Sequence, residues 1–327
     1  MHILLVNVDS RWNMAIRRMY TYFTQRGHEV TMQDLGLSAY PHKRTVSIDA
    51  ANYERVYVSN IFDQNAYRVT ITNCPYVEYG GIGSRNPENK LSPDIEATPP
   101  YYAPGEKITY GFITRGCIRK CWFCKVPKYE GALKEYNKVE SIVRGCPGEV
   151  VKFLDNNILA HPGHMDVFRW LIDRGIRCEF NQGLDFRLTN DENLNALARL
   201  NYVGAYIFAF DDPKYQPLLD RKIKLIKKYI PQPWKVKFYI YFHPDTPVAQ
   251  LRSRVEWCRK HECLPYVMRD QACWSSEKVN FITDYAAYCN QPAFFKKTTF
   301  PEFLERRHPN NSQRIAKSIA VWEEVIT

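Results

Sequence analysis

The chain has 327 residues, of which 45% are hydrophobic and 24% are charged. These are ordinary values for globular proteins, so they exclude a disordered, collagen-like or coiled-coil chain, and the length suits one large or two medium domains. No run approaches the roughly 18 apolar residues of a membrane span. The amino terminus has no basic leader before Asp9, so we expect a cytoplasmic protein without membrane contact.

The charge balance is basic, with 45 lysines and arginines against 35 aspartates and glutamates, a net charge of +10. This excess permits a nucleic-acid partner, although a solvated basic surface is the plainer interpretation. The chain also contains ten cysteines. Because cytoplasmic thiols stay reduced, clustered cysteines are interpreted first as metal ligands or catalytic groups.

Residues 1–83 predict a small Rossmann-like or flavodoxin-like domain with a parallel sheet, because short apolar runs alternate with a helical pattern. Residues 84–106 contain five prolines and predict an extended linker. The expected strands are residues 2–8, 28–32, 55–58 and 76–79, and the expected helix is residues 14–26.

Residues 107–290 again alternate strand-like and helix-like segments. Six such units predict an α/β fold with a partial (β/α)6 barrel of TIM type. Residues 291–327 predict a C-terminal helical extension, and Thr189 with Glu192 predicts a capping box. The expected strands are residues 108–113, 150–154, 177–180, 205–210, 235–241 and 264–268; the expected helices are residues 139–144, 165–174, 191–200, 222–230, 247–261 and 277–289.

The sharpest chemical signal is a C-x3-C-x2-C arrangement formed by Cys117, Cys121 and Cys124, directly after the first predicted barrel strand. Three thiolates on so short a loop can hold three corners of an iron–sulfur cube and leave one iron open. The alternatives are a structural zinc site, which needs a fourth ligand such as Cys146, and inert buried thiols.

The block GFITRGCIRKCWFCKVPKYEG, residues 111–131, follows an α/β domain ending in YGGIG. It resembles the signature of the radical S-adenosylmethionine (radical SAM) superfamily, in the form with a cobalamin-binding-like N-terminal domain. The resemblance implies that the three cysteines bind a [4Fe–4S] cluster and that S-adenosylmethionine chelates the fourth iron. It further implies reductive cleavage of S-adenosylmethionine to a 5′-deoxyadenosyl radical, which abstracts hydrogen from the substrate. The electron comes from an external donor of flavodoxin or ferredoxin type.

The resemblance also implies that cofactor-binding residues follow each barrel strand. Phe123 is expected near the adenine, or else as a core residue of the cysteine loop. The Gly-Gly-Glu element that binds the methionine amine in the family is absent, and Asp155 or Asn157 is its candidate replacement; the alternative for these residues is an ordinary turn. The remaining candidates are Gln182 and Arg187, for the cofactor carboxylate, and Asp211, for a ribose or amine.

Two of these candidates have structural alternatives. Arg187 and Asp185 could form a surface ion pair, or Asp185 could orient Arg187. Asp211 could instead cap a helix. The side chains that we expect to face the substrate are His243, Asp245, Met268 and Arg269.

Other signals are weaker. Cobalamin is not expected, because the Asp-x-His-x-x-Gly motif that ligates cobalt is missing, and His28 in RGHEV more plainly opens a strand. Cys258, Cys263, Cys273 and Cys289 fit no compact ligand pattern and are interpreted as buried small hydrophobes. A nucleic acid or nucleotide is our first expectation for the substrate and a peptide the second; the non-catalytic alternative is a zinc-stabilised nucleic-acid-binding protein.

Overall fold

The computed structural model describes residues 1–37, 44–144 and 148–324, so Cys146 of the zinc alternative lies outside the described residues. The described residues form a mixed α/β protein with several parallel sheets. The strands are β1 (His2–Asn7), β2 (Glu29–Asp34), β3 (Val46–Asp49), β4 (Arg55–Ser59), β5 (Val69–Thr72), β6 (Val77–Gly80), β7 (Ile108–Gly111), β8 (Thr114–Arg115), β9 (Lys134–Glu135), β10 (Val150–Phe153), β11 (Arg177–Phe180), β12 (Asn201–Tyr202), β13 (Tyr206–Ala209), β14 (Val236–Phe242) and β15 (Leu264–Arg269).

Helices alternate with many of these strands, and none in the described part of the chain is both long and apolar enough to cross a membrane. The helices are α1 (Met14–Gln25), α2 (Pro93–Ala97), α3 (Val126–Tyr129), α4 (Val139–Arg144), α5 (His164–Asp173), α6 (Asp191–Arg199), α7 (Gln216–Tyr229), α8 (Val248–Lys260), α9 (Val279–Cys289), α10 (Pro292–Phe295), α11 (Phe300–Arg307) and α12 (Ser312–Glu323).

The chain divides into two compact units. Unit 1 holds the described residues of 1–110, 119–132 and 140–149, and unit 2 holds those of 111–118, 133–139 and 150 onward. The predicted linker, residues 84–106, therefore falls inside unit 1 and contains the short helix α2.

Unit 1 is built on a parallel sheet of order β2-β1-β4-β6. Side chains of β1 alternate between two apolar clusters, with Leu4 and Val6 in one and Ile3 and Leu5 in the other. Helix α1 packs on the Ile3 cluster. The strand β1 is therefore buried on both faces, as its continuous apolar sequence predicts. The parallel pair β3-β5, which packs on the Leu4 cluster, is not predicted by the sequence pattern.

The glycines of the YGGIG segment allow two backbones to approach closely. A Cβ on Gly81, whose φ is +96°, would lie 2.3 Å from the carbonyl oxygen of Asn60, and one on Gly83 would lie 2.4 Å from that of Ile61. The Asn60 amide donates to the Gly83 carbonyl at 2.6 Å. Glycine is required here because any side chain would push this segment away from the chain that follows β4.

Unit 2 contains two parallel sheets. In one, the neighbouring strands are β12-β11-β10, and in the other they are β13-β14-β15. A single parallel bridge, Leu184 to Phe208, connects the segment after β11 to β13. Each predicted strand of residues 107–290 overlaps an observed strand, so the α/β class is confirmed. Hydrogen bonds between the described residues do not close these strands into a barrel, and the (β/α)6 barrel stays a prediction.

Helix α6 begins with a capping box formed by Asn190 and Asn193. The prediction that Thr189 and Glu192 form this box is therefore wrong by one residue. Thr189 instead donates its hydroxyl to the Phe186 carbonyl at 2.7 Å and is buried. Asparagine at both positions serves as well as the Thr–Glu pair, because its side chain also offers an oxygen to an unpaired N–H of the first turn.

Candidate functional site

The three motif cysteines are partly exposed, whereas five of the other six cysteines among the described residues are buried. Cys117 belongs to unit 2, whereas Cys121 and Cys124 belong to unit 1, where the Cys124 N–H donates to the Cys121 carbonyl at 3.0 Å. Among the described residues, no group of three or more His, Cys, Asp or Glu side chains is arranged to hold a metal ion. The cluster site therefore stays a prediction from the sequence.

Cys258, Cys263, Cys273 and Cys289 are all buried, as the sequence interpretation expects. Burial raises the pKa of Cys263 to about 12 and that of Cys273 to about 11, and it also raises the pKa values of Cys258 and Cys289 well above the usual value. A thiol that resists ionisation is a poor metal ligand. By donor chemistry, Cys117, Cys121 and Cys124 fit an iron–sulfur cluster better than these four.

Asp155 anchors the segment that leads into Cys117. Its side chain is 1% exposed and follows β10, and its carboxylate accepts hydrogen bonds from the Ile113 N–H at 3.3 Å, the Thr114 N–H at 2.5 Å and the Thr114 hydroxyl at 2.7 Å. Desolvation raises the pKa of this carboxyl to about 6, although the three donors oppose the rise. Both carboxylate oxygens are thus engaged in holding the chain, so Asp155 is a positioning residue in this structure.

Asn157, Asp185 and Arg187 form a connected group after β10 and β11. The buried Asn157 amide donates to Asp185 at 3.3 Å, and Asp185 accepts from the Arg187 guanidinium at 2.6 and 3.1 Å. The pairing of Asp185 with Arg187 is confirmed, and it is not a surface ion pair, because Asp185 is buried. The guanidinium also lies over the Tyr215 ring, 4.9 Å from its centre.

Within the described residues, the side-chain oxygen of Asn157 is buried and has no hydrogen-bond partner. The side chain does not cap the short 3₁₀ helix that follows it. Because a buried amide oxygen without a donor costs roughly 1–3 kcal/mol, this atom is suited to accept a hydrogen bond from a ligand.

Asp211 lies where β13 ends, and its carboxylate accepts the Tyr241 N–H at 2.8 Å. Burial raises its pKa to about 6, partly offset by the nearby guanidinium groups of Arg254 and Arg187. The alternative that Asp211 caps a helix is wrong, because the neighbouring Asp212 accepts from the Lys214 N–H and has that role.

The other expected residues lie at or near strand ends with differing exposure. Gln182 is exposed after β11, and Phe123 is half-buried in unit 1, edge-on to Trp122 at 5.7 Å between ring centres. His243 lies 3.4 Å from Asp245 and 3.9 Å from Asp270. Met268 and Arg269, at the end of β15, are half-buried.

Two side chains near Asp211 make hydrogen bonds that the sequence pattern does not predict. The Tyr241 hydroxyl donates to Asp270, and buried Arg254 of α8 donates to the carbonyls of Phe210, Asp211 and Tyr241 at 3.1, 2.7 and 3.2 Å. One sequence signal for Arg254 exists, because it shares the buried face of α8 with Leu251 and Val255. A cation at such a position must have acceptors in the interior.

The two faces of β14 differ in chemistry. Phe238, Ile240 and Phe242 are fully buried, whereas Lys237, Tyr239 and Tyr241 alternate with them and are partly exposed. Lys152 of β10 and Glu179 of β11 form an ion pair at 2.8 Å. Glu179 also attracts Lys237, although burial lowers the pKa of Lys237. This second face is polar and rich in tyrosine, unlike the aliphatic interior of a filled barrel.

Comparison with models of known protein families gives no match to this chain. A search of curated proteins also gives no match.

Proposed function

We propose that the chain is a radical SAM enzyme in which Cys117, Cys121 and Cys124 hold a [4Fe–4S] cluster. The observation that carries this proposal is the C-x3-C-x2-C spacing directly after β7 and β8. The partial exposure of these thiols supports it, because thiolate ligands must ionise and five of the other cysteines are buried. Three ligands leave one coordination position for S-adenosylmethionine.

When bound, the cluster would supply the electron that cleaves the C5′–S bond of S-adenosylmethionine. The protein's own task is to position the cofactor and to exclude competing hydrogen donors. In unit 2, the Asn157 side-chain oxygen, which has no hydrogen-bond partner among the described residues, is suited to the methionine amine, and the Arg187 guanidinium is suited to the methionine carboxylate. Asp211 is suited to a ribose hydroxyl, and Asp155 holds the chain before Cys117.

We extend the proposal to a partial (β/α)6 barrel whose polar face receives the substrate. The bridge between Leu184 and Phe208 supports continuity of the two sheets of unit 2. Tyr239 and Tyr241 offer aromatic surface for stacking, and Lys237 offers positive charge, whereas Lys152 is paired with Glu179. Since stacking on aromatics beside cations is typical of nucleic-acid binding, a nucleic acid or nucleotide is the proposed substrate class.

Two measurements test the proposal on the whole chain. After anaerobic reconstitution we expect about four irons and four sulfides per chain. With dithionite and S-adenosylmethionine we expect release of 5′-deoxyadenosine, and Cys121→Ala should abolish both the cluster and this release because only two motif thiols remain.

Cys74→Ala is the matched control, since Cys74 is also partly exposed but lies outside the motif. It should retain iron, sulfide and 5′-deoxyadenosine release. Stoichiometric zinc in place of iron would overturn the proposal in favour of the zinc-stabilised binding protein. Equal 5′-deoxyadenosine release from wild type and Cys121→Ala would overturn it as well.

A further inference from the structure

Unit 1 contains a cavity of about 390 Å³ that the proposed function does not use. It lies where two neighbouring strands end, since its lining includes Asn7, the last residue of β1, and Asp34, the last residue of β2. The volume is in the range of sites for small organic ligands.

The topology of unit 1 favours a ligand at this place. In the order β2-β1-β4-β6, the chain passes from β1 to β2 on one side and later returns to β4 on the other. The connections therefore reverse direction at β1. In open parallel sheets, ligands bind outside the carboxyl ends of the strands at such a reversal.

The lining brings together three kinds of groups. Asp34 accepts from the Asn7 amide through one oxygen, at 2.6 Å, and its second oxygen has no partner among the described residues. The guanidinium of Arg11 is exposed and makes no hydrogen bond or ion pair within the described part of the chain. Ile16 and Met32 add apolar surface between these polar groups.

The loop after β1 is held in place by other residues. Asp9 accepts from the backbone N–H groups of Ile61 and Phe62 at 2.9 and 3.2 Å. Arg17 pairs with Glu106 through two bonds of 2.8 and 3.0 Å and donates to the Arg11 carbonyl at 3.3 Å. The backbone that carries Arg11 is thus preorganised beside the cavity.

We propose that this cavity binds a ribonucleoside monophosphate. The second oxygen of Asp34, which has no partner among the described residues, accepts from the ribose hydroxyls, Arg11 binds the phosphate, and the base packs against the apolar lining. A dinucleotide is not expected, because the segment from Val8 to Asn13 contains no glycine and cannot form the close backbone cradle that a pyrophosphate requires.

Binding of AMP to the full chain, measured by isothermal titration calorimetry, tests this proposal, with GMP, CMP and UMP used to identify the preferred base. Asp34→Asn should weaken the binding of the ribonucleotide at least about tenfold, because one charge-assisted hydrogen bond is lost. The binding of its 2′,3′-dideoxy analogue should not change, because that analogue has no ribose hydroxyls for Asp34 to accept from. Arg11→Gln should weaken the binding of the monophosphate to a similar extent and leave the binding of the nucleoside, which has no phosphate, unchanged.

Arg199→Gln, a change of an exposed arginine in unit 2, is the control and should bind as wild type does. Absence of binding for all four monophosphates at about 5 mM would overturn the proposal. So would variants that weaken every analogue equally, because that result indicates a general disturbance of unit 1. Cys121→Ala should bind the monophosphate normally, so failure of this inference and failure of the radical SAM proposal give different results.

Discussion

The fold holds the carboxyl groups of Asp155 and Asp211 largely away from water. Each accepts a hydrogen bond from a backbone N–H group, that of Thr114 for Asp155 and that of Tyr241 for Asp211. In each case burial is the largest influence and raises the pKa to about 6. A carboxyl of this kind binds its proton more tightly in the folded chain than in the unfolded chain. Its effect on stability therefore depends on pH.

We predict that Asp155→Asn makes the pH dependence of unfolding shallower. Because the folded pKa is above the unfolded value of 3.8, the stabilisation is complete below about pH 4 and is lost as the pH rises through about 6. A difference of about two pKa units corresponds to about 3 kcal/mol. Urea unfolding between pH 4 and 7 measures this change.

Asp173→Asn is the control for that experiment, since Asp173 is exposed at the end of α5. It should reproduce the wild-type pH profile. Part of the slope should remain in Asp155→Asn, because Asp211 titrates in the same range. A wild-type slope in Asp155→Asn would contradict the assignment of the raised pKa to this carboxyl.

At the scale of elements, three C-terminal helices meet at one buried carboxylate. Asp284 of α9 has no solvent exposure and lies 3.0 Å from Arg307 at the end of α11, His308 just after it, and Arg314 of α12. A buried carboxylate strongly destabilises the fold when its cationic partners are removed, and it is tolerated when all of them are present. The arrangement connects sequence-distant helices within unit 2.

We predict that Asp284→Asn lowers the free energy of unfolding by about 1–3 kcal/mol, because the hydrogen bonds of a fully buried carboxylate to Arg307 and Arg314 are lost, while these partly exposed guanidinium groups can still reach water. Asp166→Asn is the matched control. It breaks an exposed ion pair with Arg169 and should lower the free energy of unfolding by less than about 1 kcal/mol. Urea denaturation of both variants gives the comparison, and equal losses would show that burial does not set the cost.

At the scale of the whole molecule, the net charge of +10 bears on the proposed nucleic-acid substrate. We predict that a single-stranded RNA of about 20 nucleotides binds, and that its affinity falls at least tenfold between about 50 and 200 mM salt, because cations on the protein displace counterions from phosphates. Fluorescence anisotropy measures both. Polyglutamate of equal charge is the control, and equally tight binding of it would indicate only a basic surface. No RNA binding at low salt would favour the peptide substrate.

Several elements of the fold follow from local pattern alone. The strands β1, β10, β11 and β14 have apolar or alternating sequences, and the observed bounds differ from the predicted ones by a residue or so. The sequence pattern does not predict the pair β3-β5, because half of its side chains are exposed and the apolar signal is weak. It does not predict helix α2 either, because the prolines around it favour a linker, although a proline after Ser92 is also a helix start.

The candidate site divides in the same way. The cysteine spacing and the polar residues that follow strands can be found in the sequence. A strand and the residues directly after it are neighbours in the chain, so a local pattern locates both. The hydrogen bonds of Asp155 to Thr114 and of Arg254 to Phe210 join residues 41 and 44 positions apart, so no local pattern could predict them. The cavity in unit 1 likewise depends on the order of strands in the sheet.

The α/β class, the thiol motif and the position of nearly every strand that carries a candidate residue can be read from the amino-acid sequence without the structure. These are properties of short segments, which depend on hydrophobic periodicity and residue type. Three features depend on how the chain packs: which carboxylates are buried, the hydrogen bonds by which Asp155 holds the backbone, and the cavity that Asp34 and Arg11 share. Burial and pairing between distant segments arise from packing, and they change the ionisation and hydrogen bonding of a residue without changing its identity.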